Sequence, residues 1–146
     1  MLFPGKMRAF PQLLACALVL ALPACREPGG MELFQRRDQA RDGVYVYTLP
    51  LTDTTAAYDI WFYSRTSGPR LDQLQLNVQW LAPSGDGFSE TVYMRRVDAR
   101  GTKEPYRSGL VPAQGGDWQL SVRPVGDGGS LLGWGVIYKK REDGTR

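Results

Sequence analysis

Between Gln73 and Trp80 the chain alternates strictly: Leu74, Leu76, Val78 and Trp80 are apolar, and Gln73, Gln75, Asn77 and Gln79 are polar amides. A period of two puts the two sets on opposite faces of an extended strand, one dry and one wet. No helix accommodates that pattern, because successive residues would be scattered around its axis. The chain must therefore supply at least one sheet with a single buried face, and a second layer to bury it.

The neighbouring segments supply that layer. Val44 to Leu49 is β-branched and aromatic, and Tyr58-Asp59-Ile60-Trp61-Phe62-Tyr63 is a second strand with Tyr58, Ile60 and Phe62 on one face. The turn Pro83-Ser84-Gly85-Asp86-Gly87 follows Trp80 and leads into Phe88 to Val97, with Val92 and Met94 inward. Residues 73–97 thus read as a hairpin. A short strand is expected near Ser108 to Val111. Trp118, Leu120 and Val122 alternate with Gln119, Ser121 and Arg123, and Trp134, Val136 and Tyr138 share one face of a last strand. After residue 42 no segment has a helical period. Six to eight short strands divided by turns indicate an all-β antiparallel sandwich, jelly-roll-like or immunoglobulin-like. The strand order is not legible.

The N-terminus has a different character. Lys6 and Arg8 precede an uncharged apolar run from Leu13 to Leu22, and Leu22-Pro23-Ala24-Cys25 closes it. This is the layout of an export signal, with a core too short to span a bilayer, which needs roughly 20 residues. An aliphatic residue at −3 and a small one at −1 before a cysteine resemble a bacterial lipobox, although Pro23 is unusual at −2. The expectation is cleavage before Cys25 and lipidation of its thiol. Plain secretion with cleavage after Ala24 is the alternative, and Met7 would serve as a more typical start than Met1. The expected division is a signal peptide over 1–24, a lipidated tether over 25–42, a β-sandwich over 43–140 and a frayed tail over 141–146.

Removing residues 1–24 from the 146 leaves 122, enough for one domain, and loss of Lys6 and Arg8 takes the net charge from +3 to +1. No basic stripe or motif points to nucleic acid. The chain has no histidine, and the mature part has one cysteine. That removes the commonest general base, any conventional serine triad and metal sites of the Cys/His type. No cofactor and no enzymatic activity is expected.

Several segments in order resemble the gliding-motility lipoprotein GldH family of Bacteroidetes. Tyr58-Asp59-Ile60, Phe62 and Arg65 match its aspartate-aliphatic strand, and Leu74 to Val78 with Pro83-Ser84-Gly85 match the strand and turn that follow. Gly115 to Val122 and Trp134-Gly135-Val136-Ile137-Tyr138-Lys139-Lys140 resemble its closing strands. The likeness covers about residues 55–140 and the signal. Two motifs depart from it: Pro69-Arg70-Leu71-Asp72-Gln73-Leu74 keeps only the final leucine, and Arg100 to Tyr106 replaces a tryptophan- and glycine-rich loop. The resemblance implies an accessory component of an envelope complex, in gliding motility or an associated secretion machinery. Protein partners are then expected, and motility itself is not required.

Glu27 at +2 is not the aspartate that retains enteric lipoproteins in the inner membrane, so the outer membrane is the expected destination. Arg26-Glu27-Pro28-Gly29-Gly30 lacks an acidic run resembling a surface-export tag, which favours the periplasmic face.

Trp80, Trp118 and Trp134 align with aliphatic neighbours and read as core. Trp61 and Tyr63 point the other way, and an exposed pair of this kind could bind a partner or stack on a glycan. Glycan binding is the alternative function. Among the scattered carboxylates, Asp59 and Glu90 are the two that strands could bring together, without any motif to mark them as catalytic. The Gly126-Asp127-Gly128-Gly129 loop offers too few carboxylates for calcium.

Overall fold

In the computed structural model residues 30–126 and 129–142 are described, and they form an antiparallel β-sandwich of two four-stranded sheets. The strands are β1 (Gly30–Arg36), β2 (Tyr45–Leu51), β3 (Tyr58–Thr66), β4 (Leu74–Leu81), β5 (Gly87–Met94), β6 (Glu104–Leu110), β7 (Gly116–Val125) and β8 (Leu131–Lys140). One sheet has the order β1-β8-β3-β6 and the other β2-β7-β4-β5. β1 pairs with β8, β2 with β7, β3 with β6 and β4 with β5, all antiparallel. This nested pairing is a long hairpin rolled into two layers, so of the two expected sandwiches the chain forms the jelly roll.

The alternation read from the sequence sets the core. Leu74, Leu76, Val78 and Trp80 are buried, and so are Tyr45, Tyr47, Leu49 and Leu51 of β2. From the other sheet Tyr58, Ile60, Phe62, Trp134, Val136 and Tyr138 meet them. Gln73, expected to open β4, instead takes φ +56° and ends the preceding turn, so the strand starts at Leu74. Trp118 is only partly buried, against the edge of the core.

Two boundaries change. Gly30–Arg36, expected to be tether, is a full strand on β8, and the sandwich begins at Gly30 rather than 43. Its sequence hides this, because β1 is an edge strand that covers a neighbour's side chains and has no buried face of its own. At the other end Arg141 is fixed: its N–H donates to the Ala57 carbonyl at 2.8 Å. The turn between β4 and β5, the β2–β3 and β6–β7 connections and Gly30 all lie at one end of the strands. The connections β1–β2, β3–β4 and β5–β6 lie at the other.

Candidate binding surfaces

Trp61 and Tyr63 lie on the outer face of their sheet, as their parity requires, but only one of them is available. Tyr63 is 5% exposed. Its ring lies directly over Gly135 of β8, where a Cβ would fall 2.1 Å from the ring carbons. Phe34 of β1 stacks on it, with centroids 5.7 Å apart, and Arg65 sits over Phe34 at 6.0 Å. The Tyr63 hydroxyl donates to Glu32 at 2.6 Å. Burial first, and then the Glu32 carboxylate, push its ionisation well above the usual phenol range. The expectation that Tyr63 forms a surface with Trp61 is thus corrected: β1 covers it. Trp61 is half-buried beside Asp59, Lys139 and Arg141 in a shallow recess. A flat platform of two rings is not present on this face.

Asp59 lines that recess with Trp61. Arg141 donates to both of its carboxylate oxygens, from Nε at 2.9 Å and Nη2 at 2.8 Å, and the Gly109 N–H donates at 2.8 Å. The Arg141 bonds hold its carboxyl below the ordinary carboxylate range, with burial opposing them. A lowered folded-state pKa contributes stability above the unfolded value of about 3.9, and loses it as pH falls through the folded value. The Asp59 carboxyl carbon, followed by NMR, is therefore expected to titrate below the usual range. Arg141→Ala should move it back up. A wild-type titration at the ordinary value would mean that the clamp does not form in solution.

The opposite edge of the sandwich, where β5 of one sheet faces β6 of the other, is held by side chains rather than strand pairing. The Trp80 Nε1–H donates to the Tyr106 hydroxyl at 2.9 Å, and that hydroxyl donates to Glu90. Arg107 pairs with the second Glu90 oxygen. Tyr106 also stacks on Phe62, with centroids 4.1 Å apart. Burial and the Glu90 bond raise the Tyr106 ionisation far above that of a free phenol. Glu90 and Asp59 are thus held in separate networks, each against its own arginine, and the pair that strands might have brought together is not assembled.

Beside this bridge the two layers part around a cleft of about 210 Å³, lined chiefly by Leu51, Trp80, Phe88, Leu110, Val111 and Trp118. Phe88 stacks on Trp80 at 6.3 Å yet remains 51% exposed, and Val111 is 53% exposed. An edge strand with a large aromatic at its rim and an apolar cleft behind it has the composition of a protein-contact surface. Reading the sequence alone misses this site. Its one local signal is parity, since Phe88 shares the inward face of Val92 and Met94 at the strand's exposed start. Tyr106, expected in a loop, reaches the site through β6 pairing that no local pattern announces.

Cys25 and the central residues of the Gly126–Gly129 loop lie outside the described residues. Among the described residues no helix is long and apolar enough to cross a membrane. No family model matches the chain, and no curated protein and no solved structure was found to be similar to it.

Proposed function

We propose that the chain is a lipid-anchored, non-enzymatic accessory component of a cell-envelope complex. In this reading Cys25 carries the lipid at the outer membrane, facing the periplasm, and the sandwich binds a protein partner. The lipobox-like Leu22-Pro23-Ala24-Cys25 and the resemblance to the GldH family support the setting. The binding role is carried by the cleft at the open β5–β6 edge, with Phe88 and Val111 exposed at its rim. Edge strands are used in this way when an extended segment of a partner adds to a sheet. The glycan alternative needed Trp61 and Tyr63 together, and Tyr63 lies beneath Phe34.

Cys25→Ser is expected to leave the protein unprocessed or soluble, with palmitate labelling abolished. Equal labelling of that variant would remove the anchor from the proposal. Partner binding is tested by co-purification from membranes in mild detergent. Phe88→Asp with Val111→Asp should lose the partner that the wild-type protein retains, with circular dichroism unchanged. Retention of the same partner at equal yield would remove the cleft from its role.

A further inference from the structure

Charge in this sandwich is separated along the strand direction. Around the β1–β2 connection stand Arg36, Arg37 and Arg41 with Asp38 and Asp42, and at the β3–β4 connection Arg65 and Arg70 with Asp72. The β5–β6 connection and its flanks add Arg95, Arg96, Arg100 and Lys103 with Asp98 and Glu104. Among the described residues that end therefore holds nine cations, eight of them arginine, against five carboxylates, for a net +4. Asp127, in the β7–β8 connection, is outside this count. The end that holds Gly30 has Lys139, Lys140 and Arg141 against Asp53, Asp59, Asp86, Asp117 and Glu142, a net −2.

Local pairs do not quench the basic end. Arg36 and Arg70 each meet an aspartate two residues away on the surface, Arg96 meets the partly buried Asp98, and Lys103 lies 4.0 Å from Glu32 of β1. The exposed Arg41, Arg95 and Arg100 have no side-chain partner among the described residues. Large apolar side chains stand at the same end, with Tyr93 62% and Leu132 50% exposed.

We infer that this arginine end is a docking face for an acidic protein surface, one that presents aspartate or glutamate beside apolar residues. Arginine matches carboxylates with two parallel bonds, and protein interfaces combine it with tyrosine and aliphatic anchors. The five interspersed carboxylates argue against a densely charged phosphate polymer, which they would repel. The inference rests on the proposed binding role only in taking the partner to be a protein. If Cys25 is lipidated, orientation follows as well. Five residue steps from Cys25 to Gly30 span at most about 17 Å, and the ten-residue β8 is roughly 30 Å long. The acidic end then lies against the bilayer and the arginine end points away from it.

The test uses the full chain purified from whole cells lysed in mild detergent, with a fluorescein-labelled peptide of repeating Glu-Glu-Leu as probe. Fluorescence anisotropy should show saturable binding that weakens as salt rises. Arg41→Glu, Arg95→Glu and Arg100→Glu combined should weaken it at least about tenfold, while Lys139→Glu at the other end changes it less than about twofold. Absence of saturable binding by the wild type, or equal weakening by Lys139→Glu, overturns the proposal. So does inorganic polyphosphate displacing the peptide at lower charge concentration, which would assign the end to a phosphate polymer. The salt dependence of the wild type needs no variant, so the proposal stays testable if the triple substitution misfolds. None of these readouts depends on Cys25 or on the cleft, so failure here leaves the anchor and cleft proposals standing, and their failure leaves this one standing.

Discussion

Gly135→Val is expected to destabilise the sandwich by about 3 kcal/mol, with a fall in Tm on the order of 10 °C. The reason is space and not backbone conformation, since Gly135 is not among the glycines with positive φ. A Cβ at this position would lie 2.1 Å from Cε1 and Cζ of Tyr63, and that ring is pinned from above by Phe34 and at its hydroxyl by Glu32. The ring can leave only by displacing β1. Gly133, two residues earlier, is as tight, with Phe34 Cζ at 2.4 Å from an added Cβ. The two glycines together form the slot into which β3 and β1 lay their aromatic rings. A thermal melt checks the magnitude, and a double-mutant cycle checks the cause. Tyr63→Ala opens the slot, so Gly135→Val added to it should cost much less than it does alone. Additive costs would locate the damage elsewhere in β8.

The same slot explains which parts of the fold were legible in the sequence. Strands with one dry face declare themselves, and Leu74 to Trp80, Tyr58 to Phe62 and Trp134 to Tyr138 stand where their alternation placed them. β1 does not, because its outward side chains Glu32 and Phe34 work by covering Tyr63 and its inward ones are only partly buried. A strand whose role is to lie on another strand's side chains has no period of its own to read. That omission is also why Tyr63 was expected at the surface: parity gives the face of a residue and not what covers that face. The Gly133 and Gly135 spacing in β8 was the available hint, since small residues alternating in a strand mark close approach by something else. The cleft was hidden for another reason. Leu51, Trp80, Val111 and Trp118 come from four separate places in the chain, and only the jelly-roll order brings them to one edge.

Trp134 should be the most costly side chain to truncate and among the cheapest to replace. It is fully buried between the layers, with the Phe62 ring at 5.9 Å and 68° to it, and its carbonyl accepts the Tyr47 hydroxyl at 2.5 Å. Trp134→Ala removes the ring and leaves a cavity that two hydrogen-bonded sheets cannot close, at a cost of about 3–5 kcal/mol. Trp134→Phe loses less volume and also removes the indole N–H, which is buried and finds no acceptor among the described residues. An unsatisfied buried donor costs about 1–3 kcal/mol, so its removal offsets most of the lost packing. The expected cost of the phenylalanine variant is under about 1 kcal/mol. Urea denaturation read at constant m resolves the two values. The Tyr47 bond goes to the backbone carbonyl and survives both substitutions, and both remove the indole N–H, so the difference between them reports on how much of the core the ring fills. A phenylalanine cost approaching that of alanine would mean that the N–H is satisfied in solution and that the core's packing around the larger ring is what the fold requires.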